Sequence, residues 1–113
     1  MLNFGTSVTW SKWWTFKQLF GNHYDKISDF GKPIMITEFG SLSIGGDRSK
    51  WFSDAIQQFP TEYPAIKSVL FFHYSSDETI SDKAINWYFI NDKPTLEVIR
   101  TELNNWPDSL KTL

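Results

Sequence analysis

The sequence predicts an α/β domain with a parallel sheet, on three observations. Two apolar runs, residues 34–39 and 66–72, are nearly continuous rather than alternating, which is the pattern of strands covered on both faces in a parallel sheet. Helical periodicity fills the segment between them and recurs after them, and strands that alternate with helical covers pair in parallel. Both runs also end in chemistry-bearing residues, Glu38 in the first and His73-Tyr74 after the second. In parallel α/β architectures, ligands bind at the C-terminal strand ends and the loops after them.

In chain order, residues 1–9 read as a loop in which Asn3 and Gly5 favour a turn, so the chain starts at the end of an element. Trp10, Trp13, Trp14 and Phe20 predict an aromatic core cluster, helical or irregular, closed by Gly21-Asn22. Tyr24, Ile27 and Phe30 recur every three residues and predict a short helix over 23–30; Gly31 suits its C′ position and Pro33 bars continuation. The Glu38 strand comes directly after, and beyond it residues 40–47 form a flexible loop of the kind that surrounds a cleft. Asp47 is the expected N-cap of a helix over 48–59, where Trp51, Phe52, Ala55, Ile56 and Phe59 share one face and Pro60 comes next. After the second strand comes a polar loop over 75–84, and residues 85–90 read as a short strand or extended loop. Leu96, Ile99, Leu103 and Trp106 mark a last amphipathic helix starting near Pro94, well placed in a first turn.

At 113 residues this is one domain, 1–113, without internal repeat, low-complexity tract or charged linker. Two or three parallel strands leave open edges and a half-covered core, so the sheet is expected to need further strands and to invite self-association. A net charge of −2 without a run of lysine and arginine argues against nucleic acid or anionic membrane as a partner. Aromatic residues make up 18%, six of them tryptophan, more than a core of this size needs; flat platforms for sugar rings are one use of the surplus. The absence of cysteine excludes disulfides and thiolate metal sites. No run approaches the ~20 apolar residues of a membrane span, and the first residues lack the charged and apolar regions of a signal peptide.

Glu38 is either a functional acid or a structural one that caps a helix or pairs with a lysine. Retaining glycoside hydrolysis sets a nucleophilic carboxylate ~5–5.5 Å from a proton donor, and Glu38 suits the nucleophile. It must stay ionised there, so polar neighbours are expected around it. A partner acid is missing: Asp77, Glu78 and Asp82 lie in the polar loop, and Glu62 lies outside the strands near Pro64. His73 and Tyr74 suit a place in the same cleft, His73 orienting a substrate hydroxyl or serving the fold. His23 reads as structural. Two histidines and no paired acid spacing predict neither metal nor cofactor. The stretch Gly45-Gly46-Asp47-Arg48-Ser49-Lys50 lacks the lysine placement of a phosphate loop and reads as a mobile rim.

Several of these stretches together resemble the C-terminal part of glycoside hydrolase family 26. They are Asn3-Phe4-Gly5-Thr6-Ser7, Trp14-Thr15-Phe16, the run from Lys32 to Ser41, Gly45-Gly46 with Lys50-Trp51, Tyr63-Pro64-Ala65-Ile66-Lys67, and Asn86-Trp87. The resemblance spans about residues 2–103. It implies a C-terminal fragment, from the end of strand 6 through helix 8, of a (β/α)8 TIM barrel, in which residues 34–39 are the seventh strand and 66–72 the eighth. It further implies a retaining endo-β-1,4-mannanase-like activity with Glu38 as nucleophile, an acid/base from a fourth strand that this chain lacks, Trp87 stacking on a sugar, and an extracellular setting. Phe71-Phe72-His73 stands where many members have tryptophan-phenylalanine-asparagine, and Asn86-Trp87-Tyr88 where aspartate-tryptophan-arginine is common. These departures widen the expected substrates from mannan to β-glucan and β-xylan. The competing expectation is a non-catalytic carbohydrate-binding or assembly remnant.

Overall fold

The computed structural model describes residues 1–78 and 85–106. Its elements run β1 (Leu2–Asn3), α1 (Phe16–Ser28), β2 (Ile34–Ser41), α2 (Arg48–Glu62), β3 (Ile66–Phe71) and α3 (Lys93–Asn104). The three strands form a parallel sheet in the order β1-β2-β3. All three helices feed one apolar cluster against one face of that sheet, built from Phe16 and Phe20 of α1, Ile34, Ile36 and Phe39 of β2, the Trp51 to Phe59 face of α2, Ile66 of β3 and Ile99 of α3.

The helices arise from local signals. Thr15 and Gln18 form a reciprocal capping box at the start of α1, with Gln18 N–H donating to the Thr15 hydroxyl and Thr15 N–H to the Gln18 side chain. With Phe16, Phe20 and Tyr24 at helical spacing, that cap carries the helix straight through Gly21-Asn22, so one 13-residue helix replaces the expected break and short second helix. Asp47 caps α2 as predicted, but the helix runs past Pro60 to Glu62 because Phe59 and Tyr63 are both buried on the sheet side. Asp92 caps α3, with Pro94 in the first turn.

The α/β class stands, but the barrel fragment does not. The described residues form a two-layer unit: a three-stranded sheet with its own core, helices on one face, and the opposite face open among those residues. Its radius of gyration is 14.3 Å, near the about 13 Å of a compact domain of this size. The physical reason is that a continuous apolar run does not oblige a strand to be buried on two faces. Ile34, Ile36 and Phe39 point into the core, while Met35 of β2 and Leu70 of β3 are 58% and 49% exposed.

Residues 1–9 are not simply a loop. Leu2 and Asn3 pair in parallel with Gly40 and Ser41, and the fully buried Asn3 amide organises the segment between β1 and α1. Its Nδ2 donates to Ser41 Oγ at 3.1 Å, and its Oδ1 accepts from the amides of Gly5 and Trp14 at 3.2 and 3.0 Å. One side chain therefore pins both ends of that loop.

Candidate functional site

The strand that carries Glu38 contains a bulge at that residue. Ile36 pairs with Val69 and Phe39 with Phe71, so three steps along β2 match two along β3. A strand that alternates strictly would send Thr37 and Glu38 to opposite faces. The extra residue instead leaves both exposed and returns Phe39 to the core, a re-aiming that bulges commonly perform beside functional sites. Contrary to expectation, Glu38 does not end the strand: β2 continues to Ser41, and Leu42 N–H still donates to Asn3 O at 3.0 Å.

Glu38 opens into a groove of about 650 Å³ on the uncovered side of the sheet. Leu2 and Phe4 line one wall, and Phe71, Phe72, His73, Tyr74 and Asp77 line the other. Glu38, His73 and Tyr74 are thus brought together. Trp87 lies behind this wall. It is 1% exposed, meets Phe4 and Phe72 edge-on at 4.9 and 5.4 Å between ring centroids, and donates from Nε1 to Asp77 Oδ2 at 2.9 Å. Its ring, expected as a sugar platform, is taken up by protein contacts.

The segment after the second strand folds back along the strand's exit. Asp77 and Ile85 form an antiparallel bridge, Trp87 N–H donates to Tyr74 O at 2.8 Å, and Phe89 N–H donates to His73 Nε2 at 3.3 Å. His73 also stacks flat on Tyr88, 4.1 Å between centroids and 4° between planes. Accepting at Nε2 leaves the proton of the neutral ring on Nδ1. The imidazole is thus held in one orientation while remaining exposed. Tyr74 stands 53% exposed at the rim.

Of the other acids, Asp77 lines the groove but is 4% exposed and engaged with Trp87. Glu62 sits on α2 and pairs with Lys17 at 3.3 Å. Glu78 is exposed but outside the groove, and Asp82 lies outside the described residues. Among the described residues no three or more histidine, cysteine, aspartate or glutamate side chains are grouped so that they could hold a metal ion. Asp77 and Asn3 are the residues that sequence reasoning undervalued. A buried role for either depends on partners 10 or more positions away, Trp87 and Ser41, and no local spacing announces such pairs.

The glycine loop after β2, expected as a mobile rim, lies against the segment that leaves β1 and is not among the residues that line the groove. Thr6 N–H donates to Ile44 O at 3.0 Å, and Gly46 packs flat against the Trp13 indole, where a Cβ would come within 2.5 Å of the ring.

No family model matches the chain. Over 76 residues it is 34% identical to Endoglucanase H of Acetivibrio thermocellus, a match that covers 66% of this chain and 8% of that protein. The chain thus spans a small part of the relative's length, and the relation to a glycoside hydrolase holds for that part.

Proposed function

We propose that this chain supplies the nucleophile wall of a retaining endo-β-glycanase site, with Glu38 as nucleophile. The observation that carries the proposal is the bulge that turns an otherwise inward strand position into an exposed carboxylate beside aromatic and imidazole side chains. Kinship with a glycoside hydrolase supports it. Because the relative is named for cleaving glucan, we favour β-1,4-linked or mixed-linkage glucan over the mannan or xylan that the resemblance to family 26 also allows. Such polymers lie outside the cell, and the proposed setting is extracellular.

In the first step a Glu38 oxygen attacks the anomeric carbon, the glycosidic C–O bond breaks, and a glycosyl ester forms as the leaving oxygen takes a proton. Water then attacks the same carbon, giving a proton to the conjugate base of the proton donor, and the ester bond breaks to release Glu38 as carboxylate. The proton donor is not among the described groove residues, so we assign it to a polypeptide segment facing the open side of the sheet. His73, fixed by Phe89 and Tyr88, and Tyr74 would hydrogen-bond sugar hydroxyls. Trp87 would act from behind, by holding Phe4, Phe72 and Asp77 in the wall.

A dinitrophenyl 2-deoxy-2-fluoroglycoside tests this directly, since its leaving group departs without a proton and the missing donor is bypassed. The expected result is a glycosyl label on the peptide containing Glu38, absent from Glu38→Ala. A second reading, a non-catalytic carbohydrate-binding module, is favoured by the engagement of Asp77, which leaves one open carboxylate in the groove. Oligosaccharide binding without label, or with a label elsewhere, would select it.

A further inference from the structure

We infer that Trp10 is a stacking platform that extends the Glu38 groove by one sugar-binding position. The inference rests on the proposed reading of the groove as a glycan site. Trp10 was expected in the core, yet it is 69% exposed, and a ring of that size left in water is unusual. It is not stranded at random. It leans on Phe4 with 6.0 Å between ring centroids, and Phe4 is itself a wall of the groove that holds Glu38. The platform is also held in place. Ser7 N–H donates to Phe4 O and Ser11 N–H to Val8 O, both at 3.2 Å, folding residues 4–11 into successive turns with Trp10 near the tip of the second. Asn3 Oδ1 ties the loop at Gly5 and Trp14.

The chemistry selects the occupant. Trp10 and Tyr74 are exposed aromatic residues associated with opposite walls of a groove that has one open acid and one exposed imidazole. A β-linked pyranose chain presents apolar C–H faces to such rings and a rim of hydroxyls to the polar groups between them. A platform fixed before binding loses little conformational freedom on contact. Phe30 offers an internal comparison. It is 78% exposed, but it stands at the turn that enters β2, the end of the strand remote from Glu38.

The experiment measures binding of cellohexaose, mannohexaose and xylohexaose to the 113-residue chain by calorimetry. For whichever hexaose the wild type binds, Trp10→Ala is expected to weaken affinity about five- to tenfold, the equivalent of one aromatic stacking contact. Trp10→Phe should recover most of the loss, Trp10→Leu should not, and Phe30→Ala should bind as wild type. Unchanged thermal midpoints would show that the fold persists. If the wild type binds a hexaose and Trp10→Ala binds it equally well, the platform is refuted while the glycan site stands. An equal loss in Phe30→Ala would refute it too, as a general surface effect. If the wild type binds none of the three, the glycan site falls and the platform with it.

Discussion

The indole Nε1 of Trp87 donates to the Asp77 carboxylate at 2.9 Å, joining two residues that are 1% and 4% exposed. This bond and the Asp77–Ile85 bridge close the backbone reversal that begins at Tyr74. The bond also holds Trp87 edge-on to Phe4 and Phe72, which come from different strand exits. Trp87 is therefore the pin between the two walls of the Glu38 groove.

Trp87→Ala is expected to cost about 3–5 kcal/mol of stability, the usual range for truncating a buried aromatic ring. Trp87→Phe keeps most of the volume but removes the N–H donated to a buried carboxylate, and should cost about 1–3 kcal/mol. Urea denaturation measures both. A Trp87→Ala chain that unfolded like the wild type yet lost oligosaccharide affinity would show the ring to be a sugar contact instead.

The parallel α/β class, the cap at Asp47, the helix start near Pro94, and Glu38 as the strand acid were legible because each depends on neighbours within a few positions. A half-covered core was expected, but that Met35 and Leu70 are among the side chains it leaves exposed was not legible. A strand buried on one face and a strand buried on two differ in what covers them, and an apolar run states only that covering is favourable. The bulge at Thr37-Glu38 was hidden for a related reason, since it is a mismatch between β2 and β3 rather than a property of either. Trp10 and Trp87 show the same limit: composition predicted surplus rings, but contacts across the fold decided which ring is exposed and which is buried.

Arg48 donates to one Asp92 oxygen from Nε at 3.1 Å and from Nη2 at 2.9 Å, linking the start of α2 to the cap of α3. Burial alone would push the Asp92 carboxyl up; hydrogen bonds from Thr95 and Arg48 outweigh it and hold it below its ordinary value of 3.8. A carboxyl depressed on folding contributes stability that is fully present above its unfolded value and lost as pH falls through the folded one. Urea midpoints should therefore fall on acidification below about pH 4, and this acid limb should be shallower in Asp92→Asn. Asp92→Ala should also cost about 2–3 kcal/mol at neutral pH, by removing the cap and leaving the buried guanidinium without its carboxylate. An acid limb of equal slope in wild type and Asp92→Asn would assign it to other carboxyls.

Gly5 has φ +56°, and a Cβ there would lie 1.9 Å from Ile44 O. Gly5→Ala is thus opposed twice, by the left-handed backbone and by a carbonyl that cannot move without breaking its bond to Thr6 N–H. The expected cost is about 2–4 kcal/mol, combining backbone strain with overpacking. Because the same loop carries Phe4 and Trp10, amide exchange should quicken over residues 4–14 before it does in α2. Wild-type protection there in the variant would show that the contact is not a clamp.

Met35 and Leu70 stand on the open side of a sheet whose two outer strands, β1 and β3, each have a single strand neighbour among the described residues. Apolar side chains beside free strand edges recruit further chain, and in a solution of this chain alone the available partner is a second copy. Light scattering is therefore expected to show concentration-dependent self-association, and a hydrophobic dye should fluoresce on the folded protein. Leu70 lines the Glu38 groove but Met35 does not, so the two separate association from binding. Met35→Lys should shift the chain toward monomer and leave oligosaccharide affinity unchanged, whereas Leu70→Lys should disturb both. A wild type that remains monomeric at all accessible concentrations and binds no dye would show that the open face is tolerated by water, and the assignment of a facing segment to it would lose its main physical motive.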